Sequence, residues 1–266
     1  MSTAAARKRS GGYDPEHYCN LAAIEDRHFW FRSRNEAIRA LAGQVCAGFE
    51  PGYRALEIGC GTGNVLRHLE EICRGGSVIG MDLFGQGFQF ARQRSSCGLV
   101  QGDASRPPFV CPFHLIGMFD VMEHVPNDVA LLGDAHRLLA PGGALLVTVP
   151  AHMSLWSYFD EASNHCRRYE LGELRTRLSE AGFAIEFLSE YMCSVTPLVW
   201  LKRRLLAQNQ DGATRRADVV KDELAIYPVV NGVLAFLLKQ EARWLRMRKR
   251  LPFGASLIAI ARKPAA

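Results

Sequence analysis

The chain has 266 residues, 48% of them hydrophobic and 22% charged, with 32 Lys+Arg against 27 Asp+Glu and a formal charge of +5. This balance excludes disordered, collagen-like and coiled-coil chains, and the length admits one large domain or two small ones. The charge is uneven: residues 196–266 hold fourteen basic against five acidic side chains, whereas residues 57–195 are acidic on balance.

The first stretch, Met1–Gly12, is small and basic with no apolar run behind it, so it is not read as a signal peptide. No eighteen consecutive apolar residues occur, which argues against a spanning helix. The eight cysteines (19, 46, 60, 73, 97, 111, 166 and 193) form no C-x-x-C pair. Neither zinc ligation nor a stapled scaffold has that spacing, and free thiols in a reducing cytoplasm are expected.

His28-Phe29-Trp30-Phe31-Arg32 is an aromatic and basic cluster leading into a helix expected over Asn35–Cys46. From Tyr53 onward, β-type runs alternate with helical spacing. Strands are expected over Tyr53–Ile58, Ser77–Asp82, Gly98–Gln101, His114–Phe119 and Ala144–Val149, and helices over Asn64–Cys73, Gln86–Arg94 and Asp128–Leu139. Pro141-Gly142-Gly143 stops the last of these helices. The fold class is therefore α/β, a doubly wound sheet. A helix over Gly172–Ala181 and strands over Ala184–Tyr191 and Ser256–Lys263 follow, with more than sixty residues of helical character between those two strands.

The strongest local signal is Leu56-Glu57-Ile58-Gly59-Cys60-Gly61-Thr62-Gly63, at the end of the first strand. Glycines at every second position let the backbone turn tightly and approach a ligand where a Cβ would clash. The spacing is G-x-G-x-G rather than the G-x-G-x-x-G that seats a pyrophosphate, so a dinucleotide is disfavoured. Glu57 suits a cation or an ammonium group and would repel phosphate.

This segment resembles the first motif of the class I S-adenosylmethionine-dependent methyltransferases, and the likeness extends over roughly residues 53–192, closest to the ubiquinone-type group. The resemblance implies a Rossmann-like seven-stranded sheet with a helical N-terminal lid and a helical insert before the last strand. It gives Gly59, Gly61 and Gly63 the cradle, Asp82 the ribose hydroxyls, and Asp103 with the Ala104 backbone the adenine. Leu83 and Phe119 join that cofactor set, and Pro141-Gly142-Gly143 matches the turn before the family's fifth strand. In such a lid, Trp30 or Phe31 would face the sulfonium and Arg34 the methionine carboxylate; otherwise the aromatics pack a first helix onto the sheet.

Asp120, Glu123 and His124 form a D-x-x-E-H cluster after the fourth strand. It resembles the E-x-x-E-H element with which ubiquinone-type O-methyltransferases and small-RNA 2′-O-methyltransferases can hold a divalent cation. Asp in place of the first Glu puts a metal in doubt, and His124 can equally act as a base or pack against the loop. In the polar, aromatic segment after the fifth strand, His152, His165 and Tyr158 are catalytic candidates. Trp156, Arg167, Arg168 and Tyr169 are candidates to bind substrate, the alternative being that the arginines pair with Asp160, Glu161 or Glu170.

Val195–Leu206 joins apolar residues to Lys202-Arg203-Arg204, and Pro228–Leu238 is an eleven-residue, mostly apolar run followed by six basic residues up to Arg250. Eleven residues cannot span a bilayer. A peripheral membrane contact, delivery of a lipophilic acceptor, a homodimer, or closure of the acceptor pocket are the readings of this part.

The division expected is a lid over 1–52, a cofactor-binding core over 53–192, a basic helical insert over 193–255 and a last strand over 256–266. The function expected is methyl transfer from S-adenosylmethionine to a small molecule, lipophilic or anionic, in the cytoplasm. An RNA methyltransferase and a non-catalytic cofactor-binding module are the alternatives; the first is disfavoured because the sequence offers no RNA-binding module.

Overall fold

The computed structural model describes residues 15–207 and 225–265; Met1–Gly12 and the side chains of Lys202 and Arg203 lie outside what is described. Two helices precede the sheet, α1 (Pro15–Ile24) and α2 (Phe29–Cys46). The sequence reading missed α1 and began α2 at Asn35. The helix starts at Phe29 because His28 caps it, its Nδ1 accepting from the Trp30 amide at 3.3 Å. The aromatic cluster is therefore the first turn of the helix.

The sheet and its helices follow as β1 (Arg54–Ile58), α3 (Leu66–Ile72), β2 (Ser77–Asp82), α4 (Phe88–Arg94), β3 (Gly98–Gln101), β4 (Phe113–Phe119), α5 (Asp128–Leu138) and β5 (Leu139–Pro150). A short α6 (Tyr158–Ala162), α7 (Leu171–Glu180), β6 (Ala184–Tyr191), α8 (Thr196–Ala207), α9 (Pro228–Arg246) and β7 (Ser256–Arg262) complete the chain. Most expected elements lie within a residue or two of these bounds. β5 begins earlier than expected because Pro141-Gly142-Gly143 lies beside the end of β7, the Gly142 amide bonding to the Lys263 carbonyl at 3.0 Å.

The seven strands are ordered β3-β2-β1-β4-β5-β7-β6. β1 to β5 run parallel, while β7 is antiparallel to both β5 and β6. The chain builds outward from β1 to β3 and then crosses back to β4, so the order reverses between β1 and β4. In a doubly wound sheet the crevice outside the carboxyl ends of those strands is where a ligand sits.

Both faces are covered, which is why β5 and β7 read as nearly unbroken apolar runs. Ala144, Leu146, Ile258 and Ile260 point to one core shared with α2, α3 and α9. Leu145, Val147, Leu257 and Ala259 point to the other, shared with α5 and α7. Within the expected insert, α9 runs alongside α2 in the same direction. Asn231 accepts from the Phe29 amide at 2.7 Å near its start, and Gln44 of α2 meets the Arg246 carbonyl at its end. Helix α9 is thus part of one wall of the domain.

Candidate active site

β1 delivers the glycine loop to the switch point. Gly59, Gly61 and Gly63 have φ of +79°, +49° and +77°. A Cβ on Gly63 would stand 2.7 Å from the Ala91 Cα of α4, so only glycine lets the loop and this helix approach so closely. A Cβ on Gly61 would meet nothing within 4 Å, which makes Gly61 the point where the loop faces open space.

Asp82, at the end of β2, holds the loop in place. Its Oδ2 accepts from the Gly61 amide at 2.8 Å and its Oδ1 from the Phe84 amide at 2.9 Å. Burial raises its pKa, partly offset by those amides. Leu83 beside it is exposed, and Asp103, after β3, is exposed and accepts from the Ser105 amide at 2.8 Å. Ala104 is half-buried against the second core. These four residues flank one edge of the crevice.

Glu57 is buried, and its Oε2 has no hydrogen-bond partner among the described residues. Burial holds its carboxyl well above the ordinary carboxylate range; Arg34 pulls it down, and Asp82 and Glu25 push it further up. A buried polar group left unpaired is costly unless something arrives to pair it.

On the other side of the crevice stands α2. Arg34 is buried and bridges to Asp120 through Nη1 at 2.8 Å and to Asn64 through Nη2 at 3.4 Å. Asp120 also accepts from the Thr148 hydroxyl at 3.0 Å and sits at φ +55°, a rare conformation for a non-glycine residue. Its carboxylate is thereby committed to Arg34 and Thr148, and it is not among the three donors that converge beyond β4. Trp30, half-buried, packs against the first core, as in the packing alternative, and Phe119 is buried there with its ring over Gly117.

A second fastening escaped the sequence reading. Glu25, in the turn after α1, accepts from the Thr62 hydroxyl and from Arg94 of α4, and Arg94 also reaches the Thr62 carbonyl at 3.2 Å. Asp26, next to it, accepts from Asn64 at 2.9 Å. Thus the turn that ends α1 clamps the glycine loop. Short polar residues ahead of the lid cluster were the only signal, and α1 has no strong apolar periodicity to reveal it.

Beyond β4, Glu123, His124 and His165 converge: their donor atoms all lie within 4.8 Å of one another. Glu123 is buried, its Oε2 is without a partner among the described residues, and burial and then Asp120 push its carboxyl well above the ordinary range. The His124 and His165 rings meet edge to face at 4.8 Å. His165 is oriented by Asp160, whose Oδ1 lies 2.9 Å from its Nδ1. An unpaired buried carboxylate oxygen beside two imidazoles is a donor set suited to a divalent transition metal.

The segment after β5 closes on itself, Ala151 pairing with Tyr169. This closure decides the fate of its expected substrate residues. Arg168 is buried and donates to Asp160 at 2.7 Å and to the Ala151 carbonyl at 3.1 Å. Arg167 donates to Asp128 at 2.9 Å and to the Pro126 carbonyl at 2.7 Å, and the fully buried Tyr169 hydroxyl donates to Asp128 at 2.7 Å. All three are committed to holding the loop, which corrects their expected role at the substrate. Trp156 is half-buried and Tyr158 is buried at the start of α6.

His152 is corrected as well. Its Nδ1 lies 2.9 Å from Glu170 and its Nε2 2.9 Å from Glu190, so neither ring nitrogen is left to take a substrate proton. Burial lowers its pKa, but the hydrogen bonds to Glu190 and Glu170 outweigh this and leave it raised. The pair therefore stabilises the fold fully below the imidazole's ordinary value of 6.5, and that stabilisation is lost as pH rises through the raised folded-state value. We expect His152→Asn to lower the melting temperature by several degrees at about pH 6 and by less at about pH 9. Equal shifts at both pH values in a thermal melt would count against an imidazolium held between two carboxylates.

The geometry fits what the comparisons with known proteins show. A methyltransferase-domain family model matches residues 23–187, and the chain belongs to that family, within the class I S-adenosylmethionine-dependent methyltransferases. A Mycolicibacterium smegmatis protein named for S-adenosylmethionine-dependent methyl transfer is 27% identical over 170 residues, covering 62% of this chain and 63% of the relative. A ubiquinone biosynthesis O-methyltransferase of Idiomarina loihiensis is 24% identical over 182 residues, covering 62% of this chain and 73% of the relative. The first of these matches thus spans less than two thirds of the relative's length. In fold, the chain resembles a Haloferax volcanii methyltransferase solved with the Trm112 activator, with a TM-score of 0.58, 20% identity, and coverage of 93% of this chain and 97% of the other.

Proposed function

We propose that the chain binds S-adenosylmethionine across the carboxyl ends of β1 and β2 and methylates a small-molecule acceptor held between α2 and the segment 150–169. The observation that carries this reading is the glycine loop pinned to Asp82 with the unpartnered Glu57 carboxyl behind it. That arrangement offers a tight cradle, a diol-binding carboxylate and a buried acid. The relative named for ubiquinone biosynthesis supports a small, lipophilic acceptor.

S-adenosylmethionine, when bound, supplies a methyl group on a sulfonium that an acceptor atom displaces in line. The chain's part is to position and to exclude water. Asp82 would accept hydrogen bonds from the ribose hydroxyls, and Asp103 with the Ala104 backbone would meet the adenine beside Leu83. Arg34 would serve the methionine carboxylate, and Glu57 and Asp120 the ammonium. The burial that holds the Glu57 carboxyl above its ordinary range would be offset by that ammonium.

For an acceptor hydroxyl, His165 is the base. Asp160 holds its Nδ1, which leaves Nε2 to take the proton. His124 lines the same place. Where a divalent cation is present, Glu123, His124 and His165 would hold it, and it would lower the pKa of an acceptor hydroxyl.

Transfer from labelled S-adenosylmethionine to a catechol or quinol and to a small carboxylic acid tests the acceptor class. Labelling only of RNA would overturn the small-molecule reading. His165→Ala is expected to lower kcat by roughly 100-fold with cofactor affinity, read by calorimetry, unchanged. Full turnover would remove His165 from the chemistry. Dialysis against a chelator then separates its two uses: loss restored by added divalent metal points to ligation, and unchanged turnover to a metal-free base.

A further inference from the structure

α9 carries two apolar faces on opposite sides. Leu234, Leu238, Ala242 and Leu245 are buried along α2. At the alternate helical spacing, Val229, Val233, Phe236, Leu237, Trp244 and Met247 are exposed, Val229 by 80% and Phe236 by 64%. A helix that is apolar on both sides is ordinarily buried on both, so the outer stripe is a surface in want of a partner.

Charge identifies the partner. Lys239, Arg243 and Arg246 are exposed along one edge of the stripe, and the Lys249 ammonium lies 5.4 Å from the Trp244 ring. The acidic residue of α9, Glu241, is turned aside, accepting from the Cys193 and Ser194 amides at 2.9 and 2.7 Å. A second copy of the chain would bring the same excess of positive charge to the contact, since residues 196–266 hold fourteen basic against five acidic side chains. Among the described residues no helix is long and apolar enough to cross a membrane. An aromatic and aliphatic stripe beside a basic edge, on a helix too short in apolar length to span, is the form that lies in the interface of an anionic bilayer.

We propose that the outer face of α9 docks the protein on anionic lipid membranes. α9 is itself fastened to the start of α2, Asn231 donating to the Arg27 carbonyl at 3.0 Å and accepting from the Phe29 amide. The membrane would thus lie on the side of α9 away from the helix that carries Arg34.

Flotation of the full chain with phosphatidylcholine vesicles, with and without phosphatidylglycerol, tests this. Binding is expected to the anionic vesicles only and to weaken as salt rises. Phe236→Glu and the double variant Arg243→Glu with Arg246→Glu should each lower the bound fraction at least tenfold. All three positions are on the outer face, and unchanged S-adenosylmethionine affinity verifies that the variants are folded. Absence of wild-type binding, or equal binding by the variants, would overturn the proposal. So would a dimer in light scattering that Phe236→Glu converts to monomer, since the stripe would then belong to a second copy. No arm reads methyl transfer, so failure here leaves the catalytic reading standing.

Discussion

Asp82→Ala should weaken S-adenosylmethionine binding by about 3 kcal/mol, roughly 100-fold in calorimetry. Two effects add. The ribose loses an acceptor for two hydroxyls, and the Gly61 amide loses the carboxylate oxygen 2.8 Å away that fixes the loop. Asp82→Asn separates them: the side-chain oxygen can still accept from Gly61, whereas the charge that strengthens the ribose bonds is gone, so an intermediate loss is expected. Because burial raises the Asp82 pKa, affinity should also fall at acid pH sooner than for an exposed aspartate. Wild-type affinity in Asp82→Ala would place the ribose elsewhere and sink the assignment.

The same residue shows how far the sequence could be read. The likeness to the class I methyltransferases, carried by the G-x-G-x-G loop and a carboxylate ending a β-type run, is what assigned Asp82 to the cofactor, and the regular alternation of strands and helices was enough for a doubly wound sheet, though not for its strand order. Local signals of this kind survive folding because parallel strands buried on both faces must be apolar and must end in turns. What failed was partner choice among polar side chains. Arg167, Arg168 and Tyr169 read as substrate residues, with the arginines pairing to Asp160, Glu161 or Glu170 as the alternative; Arg168 does pair with Asp160, whereas Asp128 takes Arg167 and Tyr169. His152 read as a base, but Glu190, far along the chain, takes its Nε2. The pairings to Asp128 and Glu190 depend on distances set by the whole fold, and sequence spacing does not carry them.

The convergence of His165 with Glu123 and His124 is of the same nature. Spacing suggested Glu123 and His124 after β4, whereas the third member comes from a loop closed by Ala151 and Tyr169. The commitment of Asp120 to Arg34 has a further consequence: the helix that bears Arg34 is tied to the end of β4 before any ligand arrives. Binding that competes for Arg34 would loosen this tie and let α2 adjust over the crevice, while the turn that ends α1 stays clamped to the loop through Glu25 and Arg94.

The glycine loop yields the sharpest contrast. Gly63→Ala should destabilise the protein by about 2–4 kcal/mol, since φ is +77° and the new Cβ would stand 2.7 Å from the Ala91 Cα, a backbone atom that cannot swing aside. Cofactor binding should be lost with it, because α4 and the loop must separate. Gly61→Ala should behave differently. Its φ of +49° costs roughly 1 kcal/mol in strain, but the added Cβ meets nothing within 4 Å. Stability should fall only modestly, whereas S-adenosylmethionine affinity should drop at least tenfold if the open space before Gly61 is where the cofactor lies. Denaturant melts and calorimetry on the two variants read both quantities. A Gly61→Ala protein that binds the cofactor as tightly as the wild type would move the ligand off the loop, even with Gly63→Ala unfolded as expected.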